Sequence, residues 1–161
     1  MVIGYCKKDI LEYAVGVVEK NLQNVIAARK DAKKCANDAP GPAVSHSDTS
    51  KFQYDILAGN LSSRVSLLEF EFENLKRHCV SEKIIVQMGA LIELENRETK
   101  QKRYCFVLPG GAGIKVETEK GLVNIISAFS PLFKGMKGLK KDDEFEFKVG
   151  KTQEYHISNI L

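Results

Sequence analysis

Two stretches of this chain carry apolar residues at alternating steps of four and three. In the first, Leu11, Val15, Val18, Leu22 and Val25 hold the register, and Arg29 and Ala32 continue it. In the second the register runs through Tyr54, Ala58, Leu61, Val65, Leu68, Phe72 and Leu75. Such spacing returns to the same helix face every seven residues and predicts coiled-coil packing. The stretch between, 37–47, holds Pro40, Gly41 and Pro42 and cannot continue a helix. Ser47, Asp48, Thr49 and Ser50 are all capable N-caps for the second helix. Two helices joined by a breaker predict an antiparallel hairpin, each arm roughly 40 Å long. The seam thins toward the tip, where Arg29, Ala32, Tyr54 and Ala58 stand in place of large aliphatics.

Near Cys79 the period changes from 3.5 to 2. Strands are predicted at 84–86, 90–95, 103–108, 123–126, 144–149 and 154–160, separated by Gly, Pro and Asn turn chemistry. Ser130 followed by Pro131 marks the start of a short helix. The expected architecture is α+β. A coiled-coil hairpin spans 1–79, and a small, mainly antiparallel β domain with one short helix spans 80–161.

Composition narrows the class. The chain has 161 residues, 43% of them hydrophobic and 28% charged, a globular profile. No apolar run reaches the roughly 18 residues of a membrane span, and the first residues lack the apolar core of a secretory signal. A cytoplasmic protein with no membrane partner is therefore expected. Cys6, Cys35, Cys79 and Cys105 form no C-x-x-C pair, so structural zinc and a disulfide framework are not expected. The net charge of +3 is small, and its densest basic spot is Arg29, Lys30, Lys33 and Lys34. That spot suits either a solvated helix face or contact with a nucleic-acid backbone, DNA or nascent RNA.

Other constellations are weaker. Pro109-Gly110-Gly111-Ala112-Gly113 lacks the Gly-Lys-Ser/Thr ending and following helix of a phosphate loop. His46, His78 and His156 lack metal-ligand spacing. The alternating Phe145, Phe147 and Val149 read as sheet core.

A family resemblance emerges from the second half. Met88 to Leu94, the run from Asn124 to Gly138 with Ser127, Ser130, Pro131, Gly135 and Gly138, the stretch Lys140 to Phe147, and Glu154 to Ile160 together resemble the C-terminal domain of the GreA/GreB transcription elongation factors. The resemblance covers 84–161, and over the hairpin it extends to layout and heptads. It implies an FKBP-like C-terminal domain that binds RNA polymerase, with Phe129, Ser130 and Pro131 at the contact. It also implies a hairpin inserted into the secondary channel. The family's tip carboxylates help to hold a second Mg²⁺ of the polymerase against the transcript. Here Asp48 corresponds to the family's Asp, while Lys51 and Gln53 occupy positions of its glutamates. Asp38 and Asp55 are further acidic candidates near the tip. The implied protein has no active site and no metal of its own, shares Mg²⁺ with the polymerase, is a monomer when free, and modulates elongation or transcript cleavage. Two rivals stand beside this reading: an FKBP-like peptidyl-prolyl isomerase, and a coiled-coil adaptor unrelated to polymerase.

Overall fold

The structure is a computed structural model and describes residues 2–39 and 49–161. Two long helices, α1 (Lys7–Asp38) and α2 (Ser50–Arg77), form the N-terminal hairpin. They are followed by strands β1 (Leu91–Asn96), β2 (Lys102–Val107), β3 (Lys115–Thr118) and β4 (Gly121–Ile126). The short helix α3 (Pro131–Met136) and strands β5 (Glu144–Val149) and β6 (Lys151–Ile160) complete the chain. Two compact units result, one of Val18–Phe72 and one of Met1–Val17 with Glu73–Leu161.

In the helical unit, α2 buries Ala58, Val65 and Leu68 and half-buries Leu61 and Phe72. This is the face that the four-three spacing predicts; only Tyr54, at its end, is exposed. The α1 residues buried here are Val18, Leu22, Ala32 and Ala36. Ala32, Ala36 and Ala58 are small, as expected for a seam that thins toward the tip.

The first turns of α1 follow a different register. Ile10 and Ala14 are fully buried, whereas the expected Leu11 and Val15 are half-buried. These turns belong to the sheet-bearing unit, so several neighbouring segments, not one parallel seam, decide which side is covered.

The sheet-bearing unit holds six strands in the order β3-β4-β2-β1-β6-β5. β1 pairs antiparallel with both β2 and β6, as do β3 with β4 and β5 with β6. The β2–β4 pairing is parallel, so the sheet is mainly antiparallel, as expected, with one parallel pair. The cause is β3, which no expected strand covered. The chain leaves β2 through the glycine-rich loop, forms β3, and reverses into β4, which must then run alongside β2 in the same direction. The loop opens onto a strand and not a helix, and the Gly113 N–H donates to the Ile125 carbonyl. The stretch 84–86 is likewise no strand: Ile84 is exposed, and Ile85 makes one isolated bridge to Lys140.

Local chemistry explains the turns. After β1, the Asn96 side-chain oxygen accepts from the N–H groups of Glu98 and Thr99 at 3.0 and 2.9 Å. This side-chain turn reverses the chain into β2. Before β5, Asp143 Oδ2 accepts from the Lys140 N–H at 2.7 Å, which makes the adjacent acidic pair a turn device. The core joins Ile92, Leu94, Cys105, Val107, Tyr155 and Ile157 to Phe133 and Met136 of α3 and to Phe145 of β5. Phe145 stacks on Tyr155 with ring centroids 5.8 Å apart. Burial of this set is the main stabilising term, at about 25 cal/mol per Å² of apolar surface.

Candidate functional site

The segment Ser127–Met136 converts a strand into an exposed turn and then a helix. The Ser130 N–H donates to the Ser127 carbonyl, and the Ser130 carbonyl accepts from the Lys134 N–H, each at 3.0 Å. Pro131 occupies the first turn of α3, where a missing N–H loses nothing and its fixed φ favours the helix. Ser130 precedes it as the N-cap but makes no side-chain capping bond, which leaves its hydroxyl for other partners. Phe133 and Met136 are buried and anchor α3 to the sheet. Beyond α3, the Gly138 N–H donates to Val86 and the Val86 N–H donates to Leu139, closing a two-way backbone clamp. On this fixed platform Phe129 is 82% exposed. Phe129, Ser130 and Pro131 are thus consecutive at one surface, an apolar ring beside a hydroxyl on a rigid turn.

The acidic and basic candidates lie elsewhere. Asp38 ends α1 and Asp55 sits in the second turn of α2, and both are exposed. Asp48 lies outside the described residues, as do Pro40, Gly41, Pro42 and His46. Among the described residues no three His, Cys, Asp or Glu side chains converge as a metal-binding group. Asp38 and Asp55 therefore do not by themselves constitute a cation site. Lys30, Lys33 and Lys34 are exposed and share one helix face, with Arg29 half-buried beside them.

Two constellations in the sheet-bearing unit carry no sequence motif. In one, Lys7 is 9% exposed and its Nζ donates to the Ser81 carbonyl. Burial, and then the neighbouring charge of Lys83, lower its pKa from 10.5 to about 8, against an opposing pull from Glu82. His78 is pushed the same way by burial, Lys83 and Lys7, and its Nε2 is buried without a hydrogen-bond partner. Gly89 makes this approach possible: a Cβ there would lie 2.9 Å from His78 Nε2, and its φ of +83° suits glycine alone. A cleft of about 400 Å³, lined by Tyr5, Cys6, Lys7, Val80, Ser81 and Leu161 among others, opens beside Lys7.

In the other constellation, Lys120 pairs with the nearly buried Glu93 at 3.1 Å and lies 4.4 Å from the centre of the Tyr5 ring. Tyr5 meets Tyr104 edge to face at 5.5 Å. Burial, then the Glu93 carboxylate, push the Tyr5 hydroxyl well above the usual phenol range. No sequence signal marks these groups, because each pair joins residues far apart in the chain. The four cysteines are free, and burial raises the Cys105 thiol to about 11, which makes it unreactive.

These features define a class: a helical hairpin followed by a mixed six-stranded sheet domain with one short helix. No family model and no curated protein sequence matches the chain. Among solved structures it is similar to GreA factor homolog 1 (Gfh1) of Thermus thermophilus, at 17% identity over 91% of this chain and 94% of that one, with a TM-score of 0.39. It is similar to Gfh1 of Thermus aquaticus, at 18% identity over 90% and 92% of the two chains and a TM-score of 0.40. The prokaryotic transcription elongation factor GreA/GreB from Nitrosomonas europaea matches 58% of this chain and 78% of its own, at 18% identity and a TM-score of 0.37. No helix among the described residues is long and apolar enough to cross a membrane.

Proposed function

We propose that this chain is a Gre-type factor that binds RNA polymerase through its sheet-bearing unit and modulates elongation or transcript cleavage with its hairpin. The observation that carries the proposal is Phe129, fully presented on an anchored turn within the stretch 124–138 that bears the family resemblance. An exposed phenylalanine forgoes roughly 2 kcal/mol of burial, which docking against an apolar rim recovers. Ser130 and Pro131 extend the same surface, and buried Phe133 and Met136 keep it preorganised, so little ordering entropy opposes binding.

On this reading the sheet domain is FKBP-like in descent and carries no catalytic centre, and the protein works in the cytoplasm. Phe106 and Phe145 are committed to the core, which favours a binding platform over an aromatic-lined isomerase pocket. Lys30, Lys33 and Lys34 face the phosphates of nascent RNA. Asp38, Asp48 and Asp55 are the carboxylates available at the tip. The polymerase's own Mg²⁺ supplies the activation of water, and this chain holds no metal alone.

Co-sedimentation with core polymerase tests the proposal. Phe129→Asp weakens binding by about tenfold or more, as removal of an apolar anchor does, while Asp48→Ala leaves binding intact. Incubation with a halted, backtracked complex then reads RNA shortening directly. Loss of binding in Asp48→Ala with full binding in Phe129→Asp overturns the assignment of grip and tip. Strong isomerisation of a proline peptide, or failure to co-purify with polymerase, overturns the proposal itself.

A further inference from the structure

Every lysine of this chain is exposed except Lys83, which is half-buried, and Lys7, which is buried. Burial of Lys7 does not end in a salt bridge. Among the described residues it forms no ion pair, and its Nζ donates to a neutral acceptor, the Ser81 carbonyl. An ammonium enters a protein interior at least cost beside a carboxylate. A neutral amine is content with the carbonyl and keeps a lone pair free.

The surroundings favour that neutral form. Lys7 is the first residue of α1, and the N-terminal end of a helix carries partial positive charge. Lys83 adds a second cation, which Glu82 opposes, and the neighbouring His78 is held toward its own neutral form. With burial, these bring the amine to a pKa of about 8, and an uncharged lysine is a nucleophile.

A second reactant has room beside it. The cleft of about 400 Å³ takes an apolar lining from Tyr5, Val80 and Leu161, while Lys8 and Glu82 supply its charges. A small acyl group suits the apolar walls. A phosphate leaving group suits Lys8, with Lys83 close by. The product fits as well: acylation turns the amine into an uncharged amide that retains one N–H for the Ser81 carbonyl.

We propose that Lys7 is an acylation site, modified directly by small acyl phosphates that enter this cleft. The Nζ lone pair attacks the acyl carbon. The bond from that carbon to the phosphate oxygen breaks, and inorganic phosphate leaves with the electron pair. The nitrogen loses its proton to water. The reaction removes the buried charge and keeps the hydrogen bond that joins Lys7 to Ser81.

Acetyl phosphate on the folded full chain, read by peptide mapping and mass spectrometry, tests this. Hydroxylamine before mapping strips thioesters, so that Cys6 in the same cleft is not counted. Lys7 is acetylated about fivefold or more faster than the median exposed lysine. Its rate rises from pH 7 and levels off above a pH of about 8. Denaturing urea abolishes the lead, because the fold supplies it. Lys8→Gln, an exposed change, slows acetylation of Lys7 about twofold. A Lys7 rate no faster than the exposed median overturns the proposal, as does a lead that survives urea or a rate that never levels off. An unchanged Lys7 rate in Lys8→Gln overturns the acyl phosphate as donor.

Discussion

Lys7 Nζ donates a 2.7 Å hydrogen bond to the carbonyl oxygen of Ser81, joining residues 74 positions apart. The ammonium is buried in this contact, and its pKa falls from 10.5 to about 8. Between those values the unfolded chain binds more protons than the folded one, so stability rises with pH across that window. Below pH 8 both states are protonated and the burial penalty is felt in full. Lys7→Met removes the buried charge, so urea titrations should show greater stability at pH 7 and a lost slope between pH 8 and 10.5. Because Lys7 is one cause of the low His78 pKa, the imidazole of the variant should titrate at higher pH by NMR. A wild-type stability curve that is flat in the window counts against this account.

Phe129 and Phe133 lie four residues apart yet answer to different forces. Phe133 is 4% exposed beneath α3, and Phe133→Ala should lower unfolding free energy by about 3–5 kcal/mol. Phe129→Ala should change it by no more than about 0.5 kcal/mol, because its side chain is already mostly in solvent. Chemical denaturation of the two variants separates an anchor from a presented side chain. Equal effects from both would remove the basis for calling Phe129 a contact residue.

A similar contrast tests the helical register. Leu68 is 2% exposed on the seam of α2 while Leu67, its neighbour, is 47% exposed. Leu68→Ala should destabilise the chain by about 2–4 kcal/mol. Leu67→Ala, measured in dilute solution, should fall within about 0.5 kcal/mol of wild type. Thermal melts that reverse this order would place the seam on the wrong side.

Tyr5 carries a buried hydroxyl that faces the Glu93 carboxylate closely enough to be perturbed by it, yet lies outside hydrogen-bonding geometry with it. Removing an unsatisfied polar atom from such a position relieves its desolvation penalty, of about 1–3 kcal/mol. Tyr5→Phe keeps the edge-to-face contact with Tyr104 and the Lys120 cation over the ring. The variant should therefore melt a few degrees higher, and a lower melting temperature would show that the hydroxyl has a role of its own.

Legibility in the sequence followed the range of the interactions. The α2 seam through Ala58, Leu61, Val65 and Leu68 was readable because a long helix against one partner obeys its own period. The start of α3 was readable from Ser130 and Pro131, since N-terminal helix chemistry is local. β5 was readable from the alternation of Glu144 to Val149. At the candidate contact, the sequence located Phe129, Ser130 and Pro131 but could not tell that Phe129 faces outward while Phe133 faces inward.

What the sequence determined by itself, then, is the hairpin followed by a strand-rich half, because helix and strand periods are properties of a few consecutive residues. Tertiary structure alone decided the burial of Ile10 and Ala14 in place of Leu11 and Val15, the parallel pairing of β2 with β4, and the meeting of Glu93 with Lys120. Each of these depends on which distant segment supplies the neighbour. Lys7 and Ser81 meet for the same reason: the chain path, and not the pattern around either residue, sets the dielectric and the charges that a side chain experiences.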